Sequence, residues 1–483
     1  MNLRRVLASR PARYAVVLLL VSVPYLIAWW RTPPGYVFTG FILNTYDNAT
    51  YIAKMRSALW GWTYHNLYTP FADAGGYFFL LYNFMGHVAL WLHMSFWWTS
   101  TLFRLGFSVL LMTEIEKLLP LTGIPERLRT WAWWFVVLFS PFMVVLSLPE
   151  EVPFGSIFGT THFVWLLALQ VMAWRYVLQS VQQGNAQAWE AGLAVAAMGF
   201  VHPYTAFLTA VALGVYTVWV RGWQRYILWF FLIPVPVAII MIWSWLEPGA
   251  TAWQLGGQAY TPVDHTFVWW LPWLVPAVLQ LRAKHAADRP WFVWLVLAFG
   301  AAALYPRVGR RFLDGVGIPL SILDFRWMAR NWSQRWRWHP SSVVFGPAAI
   351  IGIALVAVPA SVPVTYLAIS HVRMYAFLAA QPGPGSVWGP VLDSNMIPAY
   401  SGWHVVNGQP DESPGFRPSV LRFQEVCFGN WHGKLGLASW LAERHVRYVV
   451  WPQYCNVFPL PARIVFRQGD MEVLQLGSRA SAP

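Results

Sequence analysis

Apolar runs of roughly 16 to 25 residues, each closed by a short polar or basic break, recur along the first three quarters of the chain. Such lengths match the hydrocarbon thickness of a bilayer, which takes about 20 apolar residues to cross as helix. The first run is Tyr14–Trp30, preceded by Arg4, Arg5, Arg10 and Arg13. It closes on Ile27-Ala28-Trp29-Trp30 instead of a small-residue cleavage site, which predicts an uncleaved span with a cytoplasmic N-terminus. Residues 31–75 then form a polar-aromatic first outer loop. Further segments fall at about 77–94, 98–118, 131–148, 157–178, 187–201, 204–220, 226–246, 266–281, 291–306, 309–325 and 342–368.

From about residue 370 the pattern shortens. Runs rich in β-formers, such as Arg447–Trp451 and Met471–Leu476, alternate with Pro/Gly turns, and Gly436–His445 has helical spacing. The expected fold is mostly α: a transmembrane helical bundle over 1–369 and a small α/β domain over 370–483.

Composition agrees. Charged residues make up 11% of the 483 and hydrophobic ones 57%, with a mean hydropathy of +0.44. Soluble domains carry about 25% charged residues, so a soluble enzyme, a disordered chain and a coiled coil are excluded. Of the net charge of +13, residues 1–369 hold +11, dispersed between the apolar runs. That dispersal argues against a nucleic-acid-binding face. It gives orientation instead, since basic loops stay inside. Arg326, Arg330, Arg335 and Arg337 put 326–339 in the cytoplasm, and Arg282, Lys284 and Arg289 do the same for 282–289. The C-terminal domain is then extracytoplasmic. An inside N-terminus and an outside C-terminus need an odd number of crossings, so about eleven of the twelve segments span. The segment expected not to is 77–94, which carries Asn83, Gly86, His87 and His93. The rival is that 187–220 is one span broken at His202-Pro203.

The first outer loop holds the densest polar chemistry. It reads Tyr46-Asp47-Asn48-Ala49-Thr50-Tyr51, with Arg56 and Gly61 following, and Asp47 is expected at the start of a short helix. Read alone, Asp47 is as well explained as an N-cap. The form Tyr-Asp-x-x-x-Tyr-x-x-x-x-Arg-x-x-x-x-Gly, directly after a first span, resembles the first outer loop of the polytopic GT-C superfamily of membrane glycosyltransferases. His202-Pro203-Tyr204 between two apolar segments, Arg310-Arg311-Phe312-Leu313-Asp314-Gly315 before another, and an outer C-terminal domain extend the resemblance over most of the chain.

The resemblance implies a sugar transferred from a polyprenyl-phosphate donor to an acceptor on the outer face, with Asp47 as catalytic base. Phosphate leaves as a stable anion, so one carboxylate suffices where glycoside hydrolysis uses two. Arg310 and Arg311 are candidates to hold that phosphate, because guanidinium matches its geometry; as arginines at a span end they equally suit headgroup anchoring. Tyr46, His202, Glu150 and Glu151 are further substrate-binding candidates, each with a bland alternative as a packed or interfacial residue. Asn48 stands where many relatives carry a second acidic residue, which leaves a divalent metal, and its ligands, open. No nucleotide-cradling Gly-rich loop occurs. The alternative function is a transporter or flippase of lipid-linked or small-molecule cargo, disfavoured by the absence of a convincing internal repeat. Finally, Cys427 and Cys455 are the only cysteines. Both fall in the domain expected outside, where disulfides persist, and are expected to pair.

Overall fold

The computed structural model describes residues 9–42, 44–71, 75–77, 79–139, 149–183, 188–220, 232–246, 263–282, 284–304, 309–331, 365–410, 412–429 and 434–477. In chain order the first helices and strand are α1 (Arg10–Trp30), β1 (Tyr36–Phe38), α2 (Thr45–Arg56), α3 (Leu80–Trp91), α4 (Phe96–Leu118) and α5 (Arg129–Val137). Then come α6 (Pro153–Gly159), α7 (Thr161–Gln183), α8 (Ala188–Gly199), α9 (Pro203–Val220), α10 (Pro234–Leu246), α11 (Val263–Leu281), α12 (Arg289–Leu304) and α13 (Gly317–Asn331). The C-terminal tract adds β2 (Tyr366–Ala368), α14 (Ile369–Ala379), β3 (Ser386–Trp388), α15 (Val391–Ser401), β4 (His404–Val405) and α16 (Phe416–Cys427). It closes with α17 (Lys434–Glu443), β5 (Val446–Pro452), β6 (Ala462–Gln468) and β7 (Met471–Leu476).

Two compact units divide the chain. One comprises Met1–Ile27, Ser100–Met241 and Tyr260–Val358; the other comprises Ala28–Thr99, Ile242–Ala259 and Pro359–Pro483. The break is therefore not a single point near 369. Residues 31–75 belong to the same unit as the C-terminal tract.

The first unit is helical. Among the described residues of the chain, four helical stretches are long and apolar enough to cross a membrane: Arg10–Trp30, Thr161–Gln183, Pro203–Val220 and Ala286–Leu304. The described helices thus give four such stretches where the sequence pattern suggests about eleven. α4 has the length, at 23 residues, but carries Arg104, Glu114, Glu116 and Lys117. Glu114, Glu116 and Lys117 are ion-paired inside the unit, and Arg104 donates to the Tyr25 hydroxyl and the Phe158 carbonyl. Glu116 takes Arg10 at 3.1 Å and Arg13 at 2.9 Å, and Glu114 takes Arg175 at 2.6 Å and Lys117 at 2.9 Å. Arg326 reaches Asp288 at 2.7 Å and the Thr122 carbonyl at 2.7 Å. α13 runs on to Asn331, so part of the stretch 326–339 is helix. The expected segment 309–325 instead opens as a 3-10 turn, Gly309–Phe312, and becomes α-helix only at Gly317. The segment 187–220 is two helices, α8 and α9, broken at His202-Pro203.

The second unit is α/β. β1 pairs antiparallel with β2, tying the segment after α1 to the start of the C-terminal tract. A five-stranded sheet has the order β4-β3-β5-β7-β6, parallel from β4 to β5 and antiparallel beyond. β5 is the buried middle strand and β6 an exposed edge. The core beneath is Trp388, Phe423, Leu437, Trp440, Val449 and Trp451. Cys427, at the end of α16, is bonded to Cys455, with Cα atoms 4.6 Å apart. α3 is 12 residues long, about 18 Å, too short to cross a bilayer core of ~30 Å. Its polar side chains pack instead. Asn83 donates to the Gly61 carbonyl at 3.0 Å, and a Cβ at Gly86 would run into the Met55 carbonyl of α2.

Candidate active site

Asp47 is the third residue of α2. The N-cap position belongs to Asn44, in the left-handed region (φ 48°), so Asp47 is not the cap. A first-turn carboxylate lies at the positive end of the helix dipole, which favours its anion. Asp47 is half-buried, and its Oδ1 accepts a hydrogen bond from Gln409 Nε2 at 3.0 Å. The turn that presents Gln409 is held by Ser413, whose hydroxyl accepts from the Gly408 and Gln409 amides at 3.1 and 3.2 Å. Only glycine fits at 408, because a Cβ there would overlap the Ser394 carbonyl and the Tyr68 ring. Tyr46, next to Asp47, is exposed. Partial burial, then the charge of Asp393, raises its pKa.

The other end of α2 is sealed. Lys54 and Glu412, both buried, pair at 2.7 Å, and the Lys54 ammonium stands 3.5 Å from the centre of the Phe79 ring. Tyr64 donates to Glu412 at 2.8 Å, and Asn66 donates to the Glu412 carbonyl at 2.9 Å. Tyr68 donates to the Asn395 carbonyl of α15 at 2.9 Å, and burial holds its hydroxyl well above the usual tyrosine pKa. Arg56 caps the C-terminus of α15 through the Ala399 and Tyr400 carbonyls, each at 2.6 Å. The three residues Arg56, Lys54 and Asp47 thus address α15 and the turn after β4. Asp393, also on α15, holds His371 Nδ1 at 2.6 Å and the Tyr375 hydroxyl at 2.8 Å. Burial opposes a proton on His371, but the hydrogen bond and charge of Asp393, with Asp470 beyond, outweigh it and raise the pKa.

The remaining expected residues belong to the first unit. Glu150 and Glu151 sit in a 3-10 turn, Pro149–Glu151, and both are buried, which overturns a water-exposed turn. The Glu150 carbonyl accepts from Gly315 at 3.2 Å, and Glu151 Oε2 accepts from the Trp270 indole at 2.8 Å. His202 Nδ1 lies 3.1 Å from Asp314 Oδ2, and Thr205 donates to the same oxygen at 2.7 Å. Arg311 is half-buried on this loop; the side chain of Arg310 lies outside the described residues. Glu150, His202 and the Arg310–Gly315 segment therefore do converge, around Asp314. In the sequence Asp314 stands only as part of the Arg310–Gly315 run, with no role of its own. Sequence reasoning missed Gln409, Glu412 and Lys54, and no local signal marks them. Trp403 is a core residue whose indole donates to the Leu378 carbonyl at 2.6 Å, and Trp431-His432 lie outside the described residues.

No protein-family model matches the sequence, and no curated protein matches it. Solved structures do match. The arabinofuranosyltransferase AftD from Mycobacteria superposes with a TM-score of 0.58 at 14% identity over 96% of this chain. The Archaeoglobus fulgidus oligosaccharyltransferase, tethered to an acceptor peptide, superposes with a TM-score of 0.57 at 11% identity over 92% of this chain. The same archaeal enzyme, AglB, bound to an inhibitory peptide and a dolichol-phosphate, matches with a TM-score of 0.51 at 12% identity over 91%. The chain has the GT-C fold.

The GT-C fold is matched here over part of its larger relatives: the chain spans 40% of the length of AftD and 69% of the archaeal oligosaccharyltransferase. Two amide side chains stand next to Asp47 in this version of the GT-C fold. Asn48 is buried beside it and Gln409 hydrogen-bonds it. Hard divalent cations favour several oxygen ligands, carboxylates above all. Among the described residues no group of three or more His, Cys, Asp or Glu is arranged to hold a metal ion.

Proposed function

We propose that the protein is a membrane glycosyltransferase. It moves a sugar from a polyprenyl-phosphate donor to an acceptor hydroxyl on the outer face of the membrane, with Asp47 as catalytic base. The observation that carries this reading is a half-buried carboxylate on the first turn of α2, oriented by a neutral amide. The dolichol-phosphate bound by archaeal AglB, which shares the fold, supports a lipid-phosphate donor.

In the proposed step Asp47 accepts the proton of the acceptor hydroxyl. The acceptor oxygen forms a bond to the anomeric carbon, the bond from that carbon to the phosphate oxygen breaks, and its electron pair leaves with the lipid phosphate. The leaving anion needs no general acid. A base oriented in this way contributes about 10²–10⁴-fold. Arg310 and Arg311 remain candidates for the lipid phosphate on the chemistry of guanidinium. Arg311→Ala is expected to weaken donor binding by about 1.5–3 kcal/mol, measured as a rise in KM for the polyprenyl-phosphate sugar.

Arg4, Arg5, Arg10 and Arg13 ahead of α1, with the basic stretches 282–289 and 326–339, support a cytoplasmic N-terminus by the positive-inside rule. With about eleven crossings, 370–483 lies outside. The test of function is transfer of labelled sugar from a panel of synthetic polyprenyl-phosphate sugars by the full chain in membranes, wild type against Asp47→Asn. Transfer that disappears in the variant at equal expression supports the reading, and full activity of the variant removes Asp47 from the mechanism.

A further inference from the structure

Between α5, α11 and α13, all within the first unit, lies a cavity of about 150 Å³. Phe135, Trp273 and Trp327 supply aromatic walls, and Asp324 stands among them. Asp324 is 2% exposed, and neither of its carboxylate oxygens has a hydrogen-bond partner among the described residues. Its neighbour on α13, Arg326, does not relieve it, since that guanidinium is taken by Asp288 and the Thr122 carbonyl. Pro276, also on the wall, has no N–H to offer the carbonyl four residues back, which belongs to Pro272 of the same wall. The cavity thus combines aromatic faces, a backbone acceptor released from the helix ladder, and one unpaired acid.

An isolated buried carboxylate is costly to keep, and this one serves none of the groups around Asp47 or Asp314. The chemistry narrows the ligand. One carboxylate cannot satisfy Ca²⁺ or Mg²⁺, which take six or more oxygens. A sugar would find too few polar partners on an apolar wall. The volume, about five waters' worth, is below that of a site for a whole metabolite. Aromatic faces around a single negative charge suit an organic cation. We propose that this cavity binds an alkylammonium head group, with Asp324 as its counter-charge and Trp273 and Trp327 as its walls.

The test uses the full chain in a non-ionic maltoside detergent and reads binding by titration calorimetry. Choline chloride is compared with 3,3-dimethylbutan-1-ol, its uncharged isostere. The expected result is binding of choline, at least tenfold weaker binding of the isostere, and at least tenfold loss of choline affinity in Asp324→Asn. Removing a buried charge should leave Asp324→Asn folded; should it not fold, Trp327→Leu is expected to weaken choline severalfold. Equal binding of choline and its isostere, or unchanged choline binding in Asp324→Asn, overturns the proposal in favour of a buried neutral acid. Nanodiscs distinguish the source of the ammonium. Choline binding lost in phosphatidylcholine discs but kept in phosphatidylglycerol discs assigns the site to a lipid head group, and equal binding in both assigns it to a free cation.

Discussion

At the N-terminal turn of α2, Asp47 is half-buried and takes a hydrogen bond from the neutral amide of Gln409. At the C-terminal turn, Lys54 is buried against Glu412, which Tyr64 also engages. Both partners come from one short stretch, 408–413, yet the two carboxylates are held under opposite rules. Glu412 is neutralised by a permanent cation, so protonating it would strand the Lys54 ammonium in the interior. Asp47 has an amide that donates to one oxygen without cancelling the charge. The sealed end fixes the geometry of the stretch that carries Gln409, and the half-buried end is the one proposed to take the acceptor's proton. A helix can therefore carry a structural ion pair and a candidate base two turns apart without confusing them.

The sharpest way to break this comparison is to remove the charge at each end. Asp47→Asn is expected to lower transfer by about 10²–10⁴-fold with the thermal midpoint unchanged, read from paired activity and unfolding measurements. A comparable loss of midpoint would make Asp47 structural. Lys54→Met is expected to destabilise the second unit by about 3–5 kcal/mol, because it leaves Glu412 buried without its cation. Chemical unfolding checks this, and Lys54→Met with Glu412→Leu should recover part of the loss. A cost no larger than the ~1 kcal/mol of an exposed pair would put both ends under the same rule.

Gln409→Leu separates orientation from charge. Losing one neutral hydrogen bond is worth about 0.5–1.5 kcal/mol, so transfer should fall by up to about tenfold while stability hardly moves. An unchanged rate would mean that Asp47 needs no orienting partner. The smallest effect is expected at the neighbouring pair of His371 and Asp393. Its raised imidazole pKa means that the folded state binds the proton more tightly than the unfolded chain. That contribution is full below the ordinary imidazole value of about 6.5 and is lost as pH rises through the raised folded-state value. His371→Gln should therefore flatten the decline of stability above neutral pH, as followed by thermal unfolding across a pH series.

Much of the architecture was legible because it rests on local pattern. Apolar run length marks α1, α7, α9 and α12 as spans by the same count of residues that a bilayer demands. Alternating β-formers mark β5 and β7 almost to the residue. The polar residues of 77–94 announced a non-spanning helix, and α3 is short for that reason: Asn83 and Gly86 are used against Gly61 and Met55. Pattern placed the end of one segment short, at 325, where the helix continues to Asn331. α13 runs on to Asn331 with Arg326 held by Asp288 and Thr122, residues with no periodic signature near it.

The sequence by itself determined the membrane class, the texture change near 370, the identity of the two cysteines that pair, and Asp47 as the acid to watch. Only the tertiary structure decided what surrounds Asp47. Gln409 lies 362 residues away along the chain, and Tyr64 and Glu412 are separated by 348. Hydrophobic periodicity reports which face of an element is buried, because burial recurs with the pitch of the helix or strand. A polar pair brought together by folding has no such recurrence. It becomes visible only when α2, α15 and the turn after β4 close around one another and leave one carboxylate sealed and the other open.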